Sequence, residues 1–130
     1  MAQTTRPLSP HLQIYKWQSQ MVTSILHRAT GIALAVGSLV ILWGVIAISI
    51  GPKAWASFHA VAASPLGLVL LFAWTWALWF HFINGIRHLY QDAGAGYAIS
   101  TFIKASWFSI VGSLVLTLAT WAYVFMGGAA

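Results

Sequence analysis

Two short stretches of the chain hold most of the side chains that could do chemistry. Ser24, His27 and Arg28 stand in SILHR, just ahead of a long apolar stretch, and His81 and His88 stand in HFINGIRHLYQD, near the end of another. Ser24 and Arg28 are four residues apart, so in a helix they share a face. A hydroxyl, a guanidinium and imidazoles can together hold a polar head group or a carboxylate, and a neutral imidazole can bind a metal. These two stretches are therefore the candidate functional site.

His81 is the residue whose position is hardest to explain by packing alone. It stands about one helical turn inside the end of a tryptophan-rich apolar stretch, and an ionisable side chain at membrane depth usually faces the protein interior and marks a functional site. Imidazole is also an axial ligand of haem iron. The position leaves two alternatives open: a metal ligand, or a structural histidine bonded to a backbone carbonyl of a neighbouring helix. Gly85 and His88 share its helical stripe, and Gly85 would let a planar ring approach the backbone closely.

The other polar residues have structural alternatives as well. His27 and His88 could be interfacial residues whose tips reach toward water. Ser24 could cap the first helix. His11 and His59 are expected in solvated loops.

The composition excludes a water-soluble domain. The chain has 130 residues, of which 60% are hydrophobic and 5% charged, whereas a soluble domain has about a quarter charged residues. Its net charge of +5 comes from six scattered basic residues, which form no basic stripe for nucleic acid. The chain has no cysteine, so disulfides, iron–sulfur ligation and covalently attached haem are excluded, and any haem would be held noncovalently.

Three apolar stretches are long enough to cross a membrane, since a spanning helix needs about 20 apolar residues. They cover about residues 29–50, 62–88 and 105–126. The chain is expected to break at Gly51-Pro52 and Ser64-Pro65, and to turn at Asp92, Gly94 and Gly96. The connections are short, so neighbouring helices should be antiparallel. The sequence predicts an all-α integral membrane protein with a single membrane-anchor domain over residues 1–130.

The basic residues predict the orientation, because cytoplasmic loops carry an excess of Lys and Arg. One side of the membrane carries five of them: Arg6, Lys16, Arg28, Arg87 and Lys104. The other side carries only Lys53. This places the N-terminal segment, residues 1–28, in the cytoplasm and the C-terminus in the periplasm. Four tryptophans near the predicted span ends are expected at the interfaces: Trp17, Trp55, Trp79 and Trp107.

The polar first 20 residues lack the apolar core of a secretory signal peptide and are short for a mitochondrial presequence. A bacterial inner membrane is therefore favoured. Three helices make a thin bundle that can hardly enclose a haem-sized group. Only His81 lies well inside a predicted span, since His88 stands at the last position of the second span. A six-coordinate b-type haem takes two axial ligands, so a haem is expected at an interface with another membrane chain.

The motifs resemble a known family. SILHRATG and HFINGIRHLYQD, with RPLSPHLQIY near the start, closely resemble the cytochrome b membrane-anchor subunit of succinate dehydrogenase (respiratory complex II), in its alphaproteobacterial and mitochondrial branch. The patterns S-x-L-H-R-x-T/S-G and H-x-x-x-G-x-R-H-x-x-x-D of that family both occur without departure. The resemblance covers essentially the whole chain.

The resemblance implies a haem b with His81 as one axial ligand of the iron, the other axial histidine belonging to a second anchor subunit. It implies that His27, Arg28 and His88 lie near the haem propionates. Asp92 matches an aspartate of the family without a role that the sequence assigns.

The resemblance also implies a ubiquinone-reduction site with Ser24 and Arg28, lined by Trp17 and Ile25. Ubiquinone is then a substrate, and electrons reach it from succinate through a flavoprotein subunit and an iron–sulfur subunit. The chain would contribute anchoring, haem and quinone contacts, and no catalytic residue of the succinate site.

Two other functions stay open from the sequence. One is the anchor of another quinone-linked oxidoreductase, of the fumarate reductase, hydrogenase or formate dehydrogenase type, although many of these would carry further intramembrane histidines for two haems. The other is a structural membrane anchor without a cofactor. Transport is a weaker third interpretation, because the spans lack the acidic residues of a proton relay.

Overall fold

The computed structural model describes residues 16–127, which form four helices joined by short turns. The helices are α1 (Ser19–Ile50), α2 (Pro52–Ala62), α3 (Pro65–Asp92) and α4 (Ile99–Gly127). α1, α3 and α4 are long and apolar enough to cross a membrane, which confirms the predicted all-α fold with three spans. RPLSPHLQIY, including Arg6 and His11, lies outside the described residues.

The predicted breaks coincide with helix ends. Gly51 follows α1 with φ of 134°, a conformation that residues with a Cβ rarely adopt, and Pro52 opens α2 without loss of a helical hydrogen bond. Ser64 caps α3, its Oγ accepting from the backbone N–H of Gly67 at 3.1 Å. α3 therefore begins at Pro65, three residues later than the predicted span. Asp92 is its last residue, so the turn before α4 follows Asp92.

Two features of the first half differ from the sequence prediction. The connection after the first span is the helix α2, eleven residues long, and exposed His59 lies in this helix rather than in a loop. With eleven residues α2 is too short to span a membrane, so apolar length does not indicate it in the sequence. α1 begins ten residues before the predicted span, so Ser24 lies inside the helix. The capping interpretation of Ser24 is therefore wrong, and residue Gln18 holds the N-cap position.

Most buried residues of the bundle are polar, although Phe80 and Ile83 are buried as well, and most large apolar side chains face outward. On α4 the buried residues are four hydroxyl side chains: Ser106, Ser109, Ser113 and Thr117. Each donates to a backbone carbonyl three or four residues earlier, at 2.7–2.9 Å. Large side chains such as Leu39, Val69 and Phe108 face outward. In lipid, apolar side chains gain little by burial, and small residues instead let helices approach closely.

Rings of other helices pack against three glycines of α1. His81 lies against Gly31, Trp74 against Gly37, and Phe58 of α2 against Gly44. A Cβ at Gly37 would overlap the indole of Trp74, so this position requires glycine. The three contacts fix how α1 lies against α2 and α3.

Two reciprocal hydrogen bonds join α3 to α4. Trp79 Nε1 donates to Thr120 Oγ1 at 3.0 Å, and Trp121 Nε1 donates to Thr75 Oγ1 at 3.3 Å. Trp79 lies in the middle of α3, so the prediction that it anchors the chain at a membrane interface is wrong. Its indole N–H instead donates to a hydroxyl inside the bundle, which avoids the cost of an unpaired polar group in hydrocarbon.

Candidate functional site

The backbone of α1 fixes the protonation pattern of His81. Its Nδ1 lies 3.0 Å from the carbonyl oxygen of His27 and 3.3 Å from Thr30 Oγ1. A carbonyl oxygen can only accept, so the proton of a neutral imidazole sits on Nδ1 and the lone pair on Nε2. Nε2 has no hydrogen-bond partner within residues 16–127. The structural alternative for His81 is therefore observed, and it does not conflict with the ligand alternative, because metal-binding histidines commonly donate their other nitrogen to a backbone carbonyl.

Two neighbouring groups hold the His81 ring in place. The His27 ring stacks on it with centroids 4.0 Å apart and planes 7° apart. Gly31 is the second neighbour. A Cβ on Gly31 would lie only 3.0 Å from His81 Cε1, so glycine at this position allows the ring to approach α1. The ring is thus oriented before any ligand binds.

The three imidazoles of this region form a cluster without forming a multi-ligand metal site. The His88 ring lies 4.9 Å from that of His27, tilted by 56°. In the part of the chain that the structure describes, no three His, Cys, Asp or Glu residues could hold a metal ion together. Within that part, His27 Nε2 is also buried without a hydrogen-bond partner. The cluster suits one axial ligand with two polar neighbours.

Open space lies next to His81 along α3. Gly85 is one turn further on the same stripe, and a Cβ built there would have no heavy atom within 4 Å. His81 itself is half-buried. A free lone pair beside a bare stretch of backbone fits the edge and iron of a planar metal macrocycle, so these residues are compatible with haem.

The start of α1 has two different faces. At about 100° per residue, Thr23, His27 and Thr30 share one face, and they contact α3. Ser24 and Arg28 share the adjoining face, with Ile25 beside them. The helix therefore turns one polar face into the bundle and leaves the other for a ligand or another chain.

Ser24, Ile25 and Arg28 of the sequence-predicted quinone residues lie on or beside this second face, and Trp17 precedes the helix. Ser24 is half-buried and Arg28 exposed, and neither side chain has a hydrogen-bond partner within residues 16–127. Ile25 is 49% exposed, and Trp17, which precedes α1, is 59% exposed. A hydroxyl, a cation and two apolar side chains thus stand unpaired at one end of the bundle.

Arg87 is the polar residue whose place the sequence did not predict. It is only 7% exposed, and its Nη1 donates to Thr23 Oγ1 at 3.2 Å and to Ser106 Oγ at 2.9 Å. Its guanidinium carbon lies 5.1 Å from the ring centre of Phe102. Arg87 is therefore an internal residue and not merely a topology marker. No signal near Arg87 in the sequence indicates these partners, which lie on α1 and α4.

Comparisons with known proteins agree on one family. The sequence model described as succinate dehydrogenase/fumarate reductase transmembrane subunit matches residues 2–120. The chain is 44% identical over 115 residues to the succinate dehydrogenase cytochrome b556 subunit of Paracoccus denitrificans, covering 88% of each chain. It is 37% identical over 116 residues to that of Rickettsia conorii, covering 89% of this chain and 90% of the relative.

A mitochondrial relative is also similar over most of this chain. The chain is 41% identical over 117 residues to the succinate dehydrogenase cytochrome b560 subunit of Bos taurus, covering 87% of this chain and 66% of the bovine protein. All four matches extend over most of the chain, and the family model spans both polar stretches.

Proposed function

The chain belongs to the succinate dehydrogenase/fumarate reductase transmembrane subunit family, and from this premise we propose that it is the cytochrome b membrane anchor of a succinate:ubiquinone oxidoreductase. With three apolar helices and bacterial relatives of this kind, it is a multi-pass inner-membrane protein. In this function the chain forms a single anchor domain, and the succinate site of the enzyme lies on another subunit.

One observation carries the haem part of the proposal. His81 donates from Nδ1–H to the carbonyl of His27, and its Nε2 has no hydrogen-bond partner among the residues that the structure describes. We assign His81 Nε2 as an axial ligand of a noncovalent haem b, with the other axial histidine supplied by a second membrane-anchor subunit. When bound, the haem would supply a one-electron redox centre. We assign His27, His88 and Arg28 to the haem propionates. The rings of His81 and His88 both lie near that of His27, and Arg28 is the next residue in the chain.

The quinone part of the proposal rests on the open face of α1. A quinone carbonyl oxygen gains negative charge as the ring is reduced, and the Ser24 hydroxyl and the Arg28 guanidinium would stabilise that charge. Arginine supplies a charge that it does not lose as a proton. Ile25 and Trp17, both exposed, would cover the apolar ring and complete the pocket.

The proposed partners follow from what the chain lacks. Its single carboxylate is Asp92, and it has no cysteine to hold the clusters that deliver electrons. An iron–sulfur subunit and a flavoprotein subunit would therefore bind at the end of the bundle that carries Ser24 and Arg28. The second anchor would cover the face with His81 and Gly85.

The test is an optical spectrum of the detergent-purified complex, dithionite-reduced minus oxidised. The wild type should show a b-type signal, and His81→Ala should lose most of it because iron loses a protein ligand. His59→Ala is the matched control, since His59 is exposed on α2, away from the cluster. An unchanged signal in His81→Ala would move the ligand elsewhere, and a wild type without signal would leave a cofactor-free anchor.

The family description also names fumarate reductase, which makes a fumarate-reducing complex the second candidate. The two differ in direction rather than in fold. Comparing succinate oxidation with fumarate reduction by the purified complex, using ubiquinone and its reduced form, distinguishes them.

A further inference from the structure

We propose that Arg87 is a positioning residue that holds the quinone face of α1 in register with the haem-binding stripe of α3. This inference rests on the proposed function, because it concerns how the two proposed sites are aligned. It adds a residue that neither site contains.

Arg87 is a buried cation without a carboxylate of its own chain. It is 7% exposed, and the only acidic residue of the sequence, Asp92, makes no ion pair with it in the described structure. Burying a charge inside a membrane protein is costly unless hydrogen bonds satisfy it. The hydrogen-bond partners of Arg87 therefore indicate which helices it holds together.

These partners come from two other helices. Thr23 belongs to α1, whereas Ser106 and Phe102 belong to α4. Thr23 Oγ1 also lies 3.5 Å from Ser106 Oγ, so one guanidinium from α3 meets both neighbours at a single point. Such a junction resists sliding or rotation of any one helix, because movement would leave a buried donor unpaired.

The junction lies directly beside the candidate site. Thr23 precedes Ser24 in the chain and stands one turn before His27, and Arg87 precedes His88. A second fixed point, the contact of Thr30 with His81 Nδ1, lies seven residues further along α1, about 10 Å away. Two fixed points define both the register and the rotation of α1 against α3. Loss of the Arg87 junction would turn Ser24 and Arg28 relative to His81.

Two simpler roles for Arg87 make different predictions. If Arg87 only marked membrane orientation, Arg87→Lys would keep the charge and change nothing. If Arg87 bound quinone or a haem propionate directly, its hydroxyl partners would be dispensable, and Thr23→Val would change nothing. A positioning role requires the guanidinium, whose Nη1 bonds both hydroxyls, and it requires the two hydroxyls themselves.

The experiment uses the whole purified complex with Thr23→Val, Ser106→Ala, Arg87→Lys and the double variant Arg87→Lys with Thr23→Val. Thr117→Val is the matched control, because the buried Thr117 hydroxyl bonds only within its own helix. Quinone KM and kcat, succinate oxidation with a soluble electron acceptor, and the haem midpoint potential are measured for each.

We expect Thr23→Val and Arg87→Lys each to raise the quinone KM about tenfold, the order of one lost hydrogen bond to a charged group. The haem midpoint potential should shift in both. The soluble-acceptor rate should stay unchanged, since the flavoprotein is not involved. The double variant should be no worse than the worse single variant, because both remove the same junction.

Additive effects in the double variant would overturn the proposal, and so would a Thr23→Val and a Ser106→Ala complex that both behave like Thr117→Val. If Arg87→Lys fails to assemble, Thr23→Val and Ser106→Ala carry the test, because they leave the cation in place. A wild type that lacks haem and quinone turnover overturns the proposed function instead, which separates the two failures.

Discussion

At the scale of single residues, the imidazole of His81 makes a structural hydrogen bond with one nitrogen and presents the other to the proposed haem. The His27 carbonyl accepts from Nδ1, which orients the ring and fixes its tautomer. The remaining nitrogen is left basic and unpaired within residues 16–127. A hydrogen bond that a purely structural histidine would also make therefore leaves this ring in the tautomer that the proposed haem ligation requires.

Substitutions at two glycines beside this ring distinguish contacts within the chain from contacts with a haem. Gly85→Ala meets no atom of the chain and should raise helix propensity by about 1 kcal/mol, yet it should lower haem content if a macrocycle lies over Gly85. Gly31→Ala should also lower haem content, by pushing His81 aside. Haem per complex, from absorbance, checks both. Full haem in Gly85→Ala would contradict a macrocycle at that position.

The open face of α1 gives the next prediction. Arg28→Ala should lower kcat/KM for quinone reduction by about 10²-fold, the usual loss when a group that stabilises developing charge is removed, and Ser24→Ala should do so less. Lys53→Ala is the control, because it removes an exposed charge at the opposite end of the helical bundle. Steady-state kinetics with a ubiquinone analogue measure the effect. Normal turnover in an assembled Arg28→Ala complex would refute the assigned pocket.

At the scale of helices, polar contacts rather than apolar burial hold the bundle together. α3 meets α4 through the Trp79–Thr120 and Trp121–Thr75 hydrogen bonds and through the hydroxyl seam of α4. Leu and Val side chains face outward. This inversion of a soluble core follows from the solvent, because hydrocarbon provides no hydrophobic force between helices.

The Trp79–Thr120 bond can be tested against the interfacial role that the sequence suggested. Thr120→Val should lower the stability of the complex by about 1 kcal/mol, and Thr120→Val combined with Trp79→Phe should be no worse than Trp79→Phe alone. Thr117→Val provides the comparison. Thermal inactivation in detergent measures the loss. If Trp79 served only as an interfacial anchor, Thr120→Val would be silent.

At the scale of the whole molecule, the candidate site residues collect at one end of the bundle. Ser24, Arg28 and His88 all lie near the end where α1 begins and α3 finishes. α2 packs against α1 at the opposite end, where Phe58 meets Gly44. The positive charges support the same asymmetry, although Arg87 is buried and does not face water. The predicted orientation then depends on the exposed basic residues Lys16, Arg28 and Lys104, together with Arg6.

This orientation is a prediction with a direct measurement. The N-terminus should be cytoplasmic and the C-terminus periplasmic, because the exposed basic residues collect at the end where α1 begins. A reporter that is active only in the periplasm should work when fused to the C-terminus and fail when fused to the N-terminus. The opposite result would place the quinone face on the periplasmic side and exclude cytoplasmic delivery of electrons.

The sequence by itself determined the membrane class, the three spans and the two polar stretches. Apolar length and scarcity of charge dictate spanning helices, because a backbone in hydrocarbon must satisfy its own hydrogen bonds. Gly51 and Ser64 marked their helix ends correctly, since a positive φ and a side-chain cap are local properties. The motifs around Arg28 and His81 were sufficient to indicate the family.

Only the tertiary structure decided which partners these residues have. Arg87 looked like a topology marker and Trp79 like an interfacial anchor, because nothing near them in sequence shows Ser106 or Thr120 across the bundle. The tautomer of His81 likewise depends on a carbonyl 54 positions away in the chain. Hydrogen-bond partners in a helical bundle are set by how the helices pack, and that packing depends on contacts such as Gly37 with Trp74, which join residues far apart in the sequence.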